Sequence, residues 1–194
     1  MELIRLTALR WPTHETLVDV LVRPIGEVLD LNTRFSGVSS ELYSIAPAWN
    51  GSKHLPGEPL QKVASPAAAR DLLFDHLDPD TPLLGHAIEN DLNAARIIHP
   101  FVIDTVLLYP HPRGLPIRYK LRDLAQRNLQ RTIQTAEAEG HDSKEDSEAT
   151  GDLVLVKVRD KWRELQRSGW WWKDDTLMPP KGKAAALLTS GSHL

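Results

Sequence analysis

The chain has 194 residues, 41% of them hydrophobic, and a formal net charge of −3, so we expect one domain with a sizeable buried core and no overall basic field. It contains no cysteine, which excludes disulfides, zinc–thiolate sites and cysteine nucleophiles. No apolar run approaches the ~20 residues of a membrane span, and the N-terminus has no signal-peptide layout, so the sequence predicts an intracellular chain without a membrane partner.

The first predicted elements are two strands. Residues 2–9 (ELIRLTAL) and 15–24 (ETLVDVLVRP) are short, rich in Val, Leu and Ile, and roughly alternating, which is typical of strands. A short helix is expected to open near Ser39. Residues 47–64 are rich in Pro and Gly and are expected to form a surface loop. A helix is then predicted from Ser65, an N-cap candidate that is followed by proline at the first helical position.

Strands and helices alternate in the second half of the chain. The predicted elements are a strand TPLLGHA (81–87), a helix ENDLNAARIIH (89–99), a strand PFVIDT (100–105), a helix YKLRDLAQRNLQR (119–131) and a helix over residues 143–168. Paired strands followed by this alternation predict an α/β fold, a mixed sheet with helices on its faces. Residues 173–194 are polar and small and are expected to be a flexible tail, which leaves residues 1–172 as the domain.

Two acidic residues are predicted in the first turns of helices. Asp91 follows a buried strand, and Asp146 lies in GHDSKEDSEAT just after His141. Helix N-termini that follow strands collect at one edge of an α/β sheet, where two carboxylates could hold a hard cation and a histidine could take a proton from water. The alternative is structural, because acids in a first helical turn also complement the helix dipole.

Four phrases of the sequence carry a resemblance to a known family. They are VRPIGEVLDLNTRFSGVSSELY, LLGHAIENDLNAARIIHPFVIDT, LLYPHPRGLPIRYKLRDLAQRNL and IQ…GHDSKEDSEATGDLVLVKV. Together they resemble the DEDDh 3′→5′ exonucleases, and more narrowly the nuclear RNA exonucleases that trim the 3′ ends of stable RNAs. The match covers roughly residues 2–168. It implies a ribonuclease-H-like fold, a nuclear location, a single-stranded RNA 3′ end as partner, and two Mg²⁺ or Mn²⁺ ions.

The resemblance implies specific roles. The family's second carboxylate motif matches Asp91, and its third matches His141 as general base and Asp146 as metal ligand. The family loop NTRFSG matches residues 32–37 and borders the terminal nucleotide. The substrate-binding candidates in that loop are Asn32, Arg34 and Phe35, with Phe35 alternatively a core side chain.

The first family motif has no match. It is Asp-x-Glu on an opening, central strand, and the only Asp-x-Glu here is Asp146-Ser147-Glu148, inside the last predicted helix. The sequence thus predicts a domain without its opening strand and without two of four carboxylates. A shortened reading of the gene and a true loss both explain this. The function expected is therefore a 3′→5′ exoribonuclease that hydrolyses phosphodiesters, with a catalytically dead RNA-binding or scaffold remnant as the alternative and DNA as a possible substrate.

A basic stretch and a tryptophan cluster complete the candidates. Residues 113–131 carry six basic side chains against one acidic, a local surplus of five. Arg118 and Lys120 are the candidates for RNA phosphates, and a solvated helix face is the alternative. Trp170–Trp172 are expected to pack back on the sheet, to stack on bases or to contact a partner.

Overall fold

The computed structural model describes residues 2–52, 58–135 and 141–180. It divides into two compact units, the first ending at Val154 and the second beginning at Leu155. In the described part of the chain, no helix is long and apolar enough to cross a membrane. The elements in chain order are β1 (Arg5–Arg10), β2 (Glu15–Val22), α1 (Thr33–Ser36), α2 (Ser40–Ile45), β3 (Lys62–Val63), α3 (Pro66–Phe74), β4 (Leu83–Gly85), α4 (Glu89–Ala95), β5 (Val102–Asp104), α5 (Thr105–Leu108), α6 (Leu121–Leu129), α7 (Ser143–Arg167), β6 (Trp171–Lys173) and β7 (Thr176–Met178).

The first sheet is mixed, as predicted. β1 pairs antiparallel with β2, and β2 pairs parallel with β3. Alternate residues of β2 are buried in an apolar cluster with Ala69 and Leu73 of α3, namely Val18, Val20 and Val22. Fully burying side chains of this size contributes about 1.5–3 kcal/mol each. α3 begins as expected, because the Ser65 hydroxyl accepts a hydrogen bond from the Ala68 amide at 3.2 Å.

The opposite face of β1 and β2 is polar where it carries a buried ion pair. The Arg5 guanidinium donates to both carboxylate oxygens of Asp19, each at 3.0 Å, and the Thr7 hydroxyl donates to one of them at 2.9 Å. Every oxygen of this carboxylate therefore has a partner, which is what makes a buried charge tolerable. Asp19 is 5% exposed.

The β1–β2 turn contacts the first half of α7. The indole Nε1 of Trp11 donates to the carbonyl of Gly151 at 3.1 Å. A Cβ at Gly151 would lie 2.8 Å from the Trp11 ring, so only glycine allows this approach. His14 lies beside Asp152, with Nε2 at 3.3 Å from a carboxylate oxygen. The turn is thus fixed to a residue 140 positions along the chain.

The second sheet carries the next strands of the domain. β4 and β5 pair in parallel and are joined by α4. α5 follows β5 directly and is capped by Asp104, whose carboxylate accepts from the Val106 amide at 2.8 Å. Within the described residues, no ladder joins β1 to β4, and each strand pairs along one edge only. By the family resemblance, the opening strand that the sequence predicts to be absent would be the shared neighbour of β1 and β4.

α6 and the first half of α7 form a second apolar cluster. Its buried members are Leu121, Leu124, Ala125, Ile133, Ala149 and Leu153. The Tyr109 hydroxyl packs with this cluster and donates to the Leu153 carbonyl at 2.8 Å. The spacing of Ser143 and Asp146 is that of a variant capping box, but the structure differs: the Asp142 carboxylate accepts the hydrogen bond from the Lys144 amide at 2.9 Å.

The second unit contains a β-hairpin in β6 and β7, which pair antiparallel. The flexible tail was predicted to begin at residue 173, but its first residues have regular structure, since they belong to β6 and β7. Residues 181–194 lie outside the described part. The Trp172 ring packs on Trp162 with centroids 5.8 Å apart. Trp171 and Trp172 are 40% and 55% exposed, which leaves part of each ring in solvent.

Candidate active site

Asp91 lies in the first turn of α4, just after β4, as predicted. Its pKa is raised from 3.8 to about 6, first by desolvation and then by the charges of Glu89, Asp104 and Asp146. By accessible area the residue is exposed, yet its carboxyl group has enough protein around it to lose much of its hydration. Three carboxylates act on it, so the structure places Asp91 in a strongly negative environment.

Asp146 lies in the first turn of α7, and its side chain is 22% exposed. Burial is the main cause that raises its pKa, and a hydrogen bond from Gln134 opposes this rise. The Gln134 amide Nε2 donates to one carboxylate oxygen at 2.9 Å. The charge of Asp146 is among those that raise the pKa of Asp91. The two predicted carboxylates of the second and third motifs therefore lie within electrostatic range of each other.

His141 lies beside Asp146. Its Nδ1 is 3.5 Å from the second carboxylate oxygen of Asp146, and its main-chain amide donates to the Arg34 carbonyl at 3.3 Å. Its ring lies 5.8 Å from the Phe35 ring, centroid to centroid. With Nδ1 turned to the carboxylate, Nε2 is the ring nitrogen left to accept a proton.

The predicted substrate loop, residues 32–37, is the turn that contains the short helix α1. Asn32 and Gly37 flank it, both with positive φ, 50° and 65°. Phe35 is 63% exposed, so it is not a core side chain, and the Arg34 guanidinium lies 5.7 Å from its ring centroid. The loop thus offers an exposed aromatic ring and a cation directly beside His141.

The basic stretch has fewer free cations than its sequence indicates. Arg118 pairs with Glu89 at 2.7 Å, which lowers the pKa of Glu89. Arg131 pairs with Glu148 at 3.0 Å, and Arg127 stacks on the Tyr119 ring. Lys120 stands at the N-terminus of α6, and no ion pair joins it to an acidic residue in the described ranges. Arg118 contacts Glu89, whose charge acts on Asp91, whereas Arg127 and Arg131 make contacts within the domain.

Gln134 was missed by sequence reasoning. Its side chain holds Asp146, and its main-chain amide donates to Glu145 at 2.9 Å. It takes a positive φ of 58°, which lets one residue reach two neighbouring side chains of α7. The only signal in the sequence was its place in the fourth matched phrase, which begins with Ile133 and Gln134.

The side chains present do not complete a metal site. Among residues 2–52, 58–135 and 141–180, no group of three or more His, Cys, Asp or Glu side chains is placed to hold an ion. Asp91 and Asp146 supply two carboxylates, the oxygen donors that Mg²⁺ and Mn²⁺ prefer. Two such ligands leave much of the charge of a divalent ion uncompensated, so the donor set is chemically suitable but incomplete.

Comparison with known proteins points to RNA exonucleases, as the sequence motifs do. No family model matches the chain. It is 58% identical over 181 residues to RNA exonuclease 3 of Emericella nidulans, which covers 88% of this chain and 28% of the relative. It is 35% identical over 163 residues to the human RNA exonuclease 1 homolog, covering 82% of this chain and 12% of the relative. The chain therefore spans about a quarter of the first relative's length and less of the second.

Solved structures show the fold. The catalytic unit of Neurospora crassa Pan2 matches 83% of this chain and 25% of its own, with a TM-score of 0.64 and 21% identity. The Saccharomyces cerevisiae Pan2 pseudoubiquitin hydrolase–RNA exonuclease module, in complex with AAUUAA RNA, matches 84% with a TM-score of 0.59 and 22% identity. The ribonuclease-H-like α/β fold predicted from the sequence is confirmed. Taken with the sequence relatives, this fold shows that the chain belongs to the DEDD-type RNA exonuclease family.

Proposed function

We propose that this chain is the main part of a 3′→5′ exoribonuclease domain. The observation that carries the proposal is the juxtaposition of Asp91, Asp146 and His141, three residues from two separate segments of the chain, beside an exposed loop. Structural caps would not need two carboxylates whose pKa values are both raised. Groups perturbed in this way are typical of functional sites.

In this proposal His141 takes a proton from the attacking water. Asp146 faces Nδ1 and holds the ring, while Nε2 accepts the proton. Gln134 fixes the Asp146 carboxylate from the other side. The cofactor is Mg²⁺ or Mn²⁺, two ions in the family's complete site, held in part by Asp91 and Asp146. Since the described side chains do not complete that site, no catalytic step is assigned to an ion.

The substrate is a single-stranded RNA 3′ end. In this proposal Phe35 contacts the terminal base or sugar, and Arg34 and Asn32 contact the same nucleotide. Arg118 and Lys120 contact the phosphates. Arg118 uses one guanidinium nitrogen for Glu89, which leaves its other N–H donors for a phosphate. The resemblance to nuclear RNA exonucleases also leads us to propose a nuclear location, which imaging of a tagged chain tests.

A second candidate is an inactive RNA-binding remnant. The specific observation that favours it is that the described side chains include no complete group of metal ligands. The two functions differ in one respect, since only the enzyme shortens RNA.

The test uses 5′-labelled single-stranded RNA and two proteins. One is the 194-residue chain, and the other is a version extended upstream with an Asp-x-Glu strand. We expect Mg²⁺-dependent stepwise shortening from the 3′ end by the extended version, and none by its Asp91→Asn variant. Binding without shortening in the extended version would establish the remnant instead. A DNA oligonucleotide of the same sequence shows whether the 2′-hydroxyl matters.

A further inference from the structure

Three contacts join the turn at residues 32–37 to His141. The His141 amide donates to the Arg34 carbonyl at 3.3 Å, and the Phe35 ring lies 5.8 Å from the His141 ring. The third contact is steric. A Cβ built on Gly37 would overlap the main-chain carbonyl of His141. The turn and His141 therefore fit together only while residue 37 has no side chain.

We infer that Gly37 is a positioning residue for His141. The inference rests on the proposed function, in which His141 is the general base. Gly37 contacts main-chain atoms of His141, which cannot rotate aside as a flexible side chain can. Any larger residue must displace the segment that carries the imidazole. Gly37 also has φ of +65°, a conformation that glycine adopts readily and other residues adopt at a free-energy cost.

The contact gives His141 a fixed position relative to the loop that meets the substrate. α1 is closed at its end by the Gly37 amide, which donates to the Thr33 carbonyl at 2.8 Å. The Thr33 hydroxyl donates to the Val38 carbonyl at 2.9 Å, and Val38 is fully buried. The turn is thus anchored to the core, and His141 is seated on an anchored element. Phe35 then fixes two groups relative to each other: the nucleotide that contacts its ring, and the imidazole of His141 that lies beside it.

The structure offers a matched control for the conformational effect. Gly51 has φ of +88°, and nothing lies within 4 Å of a Cβ built there. Gly51→Ala introduces backbone strain without a steric conflict, whereas Gly37→Ala introduces both. A difference between the two variants therefore reports the contact with His141 and not the loss of glycine as such.

The first experiment is nuclear magnetic resonance on the 194-residue chain. We expect Gly37→Ala to move the His141 amide resonance and to speed its hydrogen exchange, because the bond to the Arg34 carbonyl is displaced. Gly51→Ala should leave both unchanged. Gly37→Asn is the second variant, should Gly37→Ala not fold, because asparagine adopts a positive φ more readily than alanine. It keeps the steric conflict with the His141 main chain and should move the His141 amide resonance in the same way. Unchanged His141 signals in the folded variants, or equal changes in Gly51→Ala, would overturn the inference.

The second experiment separates the inference from the proposed function. It measures RNA hydrolysis by the extended version and its variants at saturating RNA. A displacement of ~1 Å of a reacting group can lower the rate as much as ~100-fold, so we expect Gly37→Ala to lower kcat about 10- to 100-fold with little change in KM. If Asp91→Asn abolishes hydrolysis and Gly37→Ala leaves kcat unaltered, the inference fails and the function stands. If Asp91→Asn leaves hydrolysis intact, the proposed function itself fails.

Discussion

Replacing Asp91 by asparagine should stabilise the isolated chain at neutral pH. Asp91 carries a negative charge in a partly desolvated place, near Glu89, Asp104 and Asp146. Its pKa of about 6 in the folded state exceeds the unfolded value of 3.8, so the folded state binds the proton more tightly. The resulting contribution to stability is fully present below pH 3.8 and is lost as the pH rises through about 6. Asparagine has no such proton to lose.

The magnitude follows from the pKa. At about 1.36 kcal/mol for each pH unit, full conversion of the rise gives about 3 kcal/mol. Because Asp91 is solvent-exposed by area, screening reduces this, and we expect about 1–2 kcal/mol above pH 6.5. For a chain of this size that corresponds to about 2–8 °C in the melting temperature.

The assay is urea unfolding of both proteins from pH 4 to pH 8, followed by circular dichroism. The difference in free energy of unfolding between Asp91→Asn and the parent chain should be smallest near pH 4. It should grow through pH 6 and level off above it. Any constant effect of the amide on packing shifts the whole curve and leaves its pH dependence intact. A difference that does not change with pH, or that favours the parent chain increasingly at high pH, would refute the reasoning.

Three further predictions follow from the site and the two sheet edges. In the extended version, His141→Ala should lower turnover by about 10²–10⁴-fold and leave RNA affinity measured by fluorescence anisotropy nearly unchanged; full turnover across pH 6–8 would exclude His141 as the base. The 194-residue chain should bind Mg²⁺ weakly in calorimetry and degrade RNA little, and robust degradation that disappears in Asp91→Ala with Asp146→Ala would contradict this. The extended version should unfold at a higher urea concentration and aggregate less, because open strand edges favour association; equal midpoints would show that nothing is gained by pairing β1 and β4 with another strand.

Elements with a strong local signal were predictable from the sequence. The two opening strands and the helices with apolar residues at helical spacing were found within a few residues of their bounds. Ser65 was correctly placed as an N-cap, because serine followed by proline combines two local signals. These features depend on residues that are close together in the sequence, so the sequence alone is enough to predict them.

Features that depend on distant residues were not predictable. β3 has only two residues, too few for a period, and is fixed by its pairing with β2. α5 begins directly after β5 because Asp104 caps it, and the same carboxylate accepts from the amides of Ala87 and Ile88 across the loop. The bond from Gln134 to Asp146 requires a positive φ at a residue that is not glycine. No local sequence pattern predicts these three arrangements.

The candidate site likewise contains residues that the sequence predicted and contacts that it did not predict. Asp91, His141 and Asp146 were identified from short motifs, and the structure gathers them. The dependence of His141 on Gly37 spans more than a hundred residues and could be found only once the backbones were placed. Arg118 was predicted to contact RNA phosphate, and its ion pair with Glu89 was not foreseen, because residues that are distant in the sequence can be close in the structure.

The seating of Trp11 on Gly151 sets an order of events during synthesis. The turn between β1 and β2 is made early, yet its docking site emerges 140 residues later. At a synthesis rate of about 5–20 residues per second, Gly151 is added about 7–28 s after Trp11. Through that interval Trp11 and the polar face around Arg5 have no helix to cover them. The β1–β2 turn therefore reaches its final packing only after the first half of α7 has been synthesised.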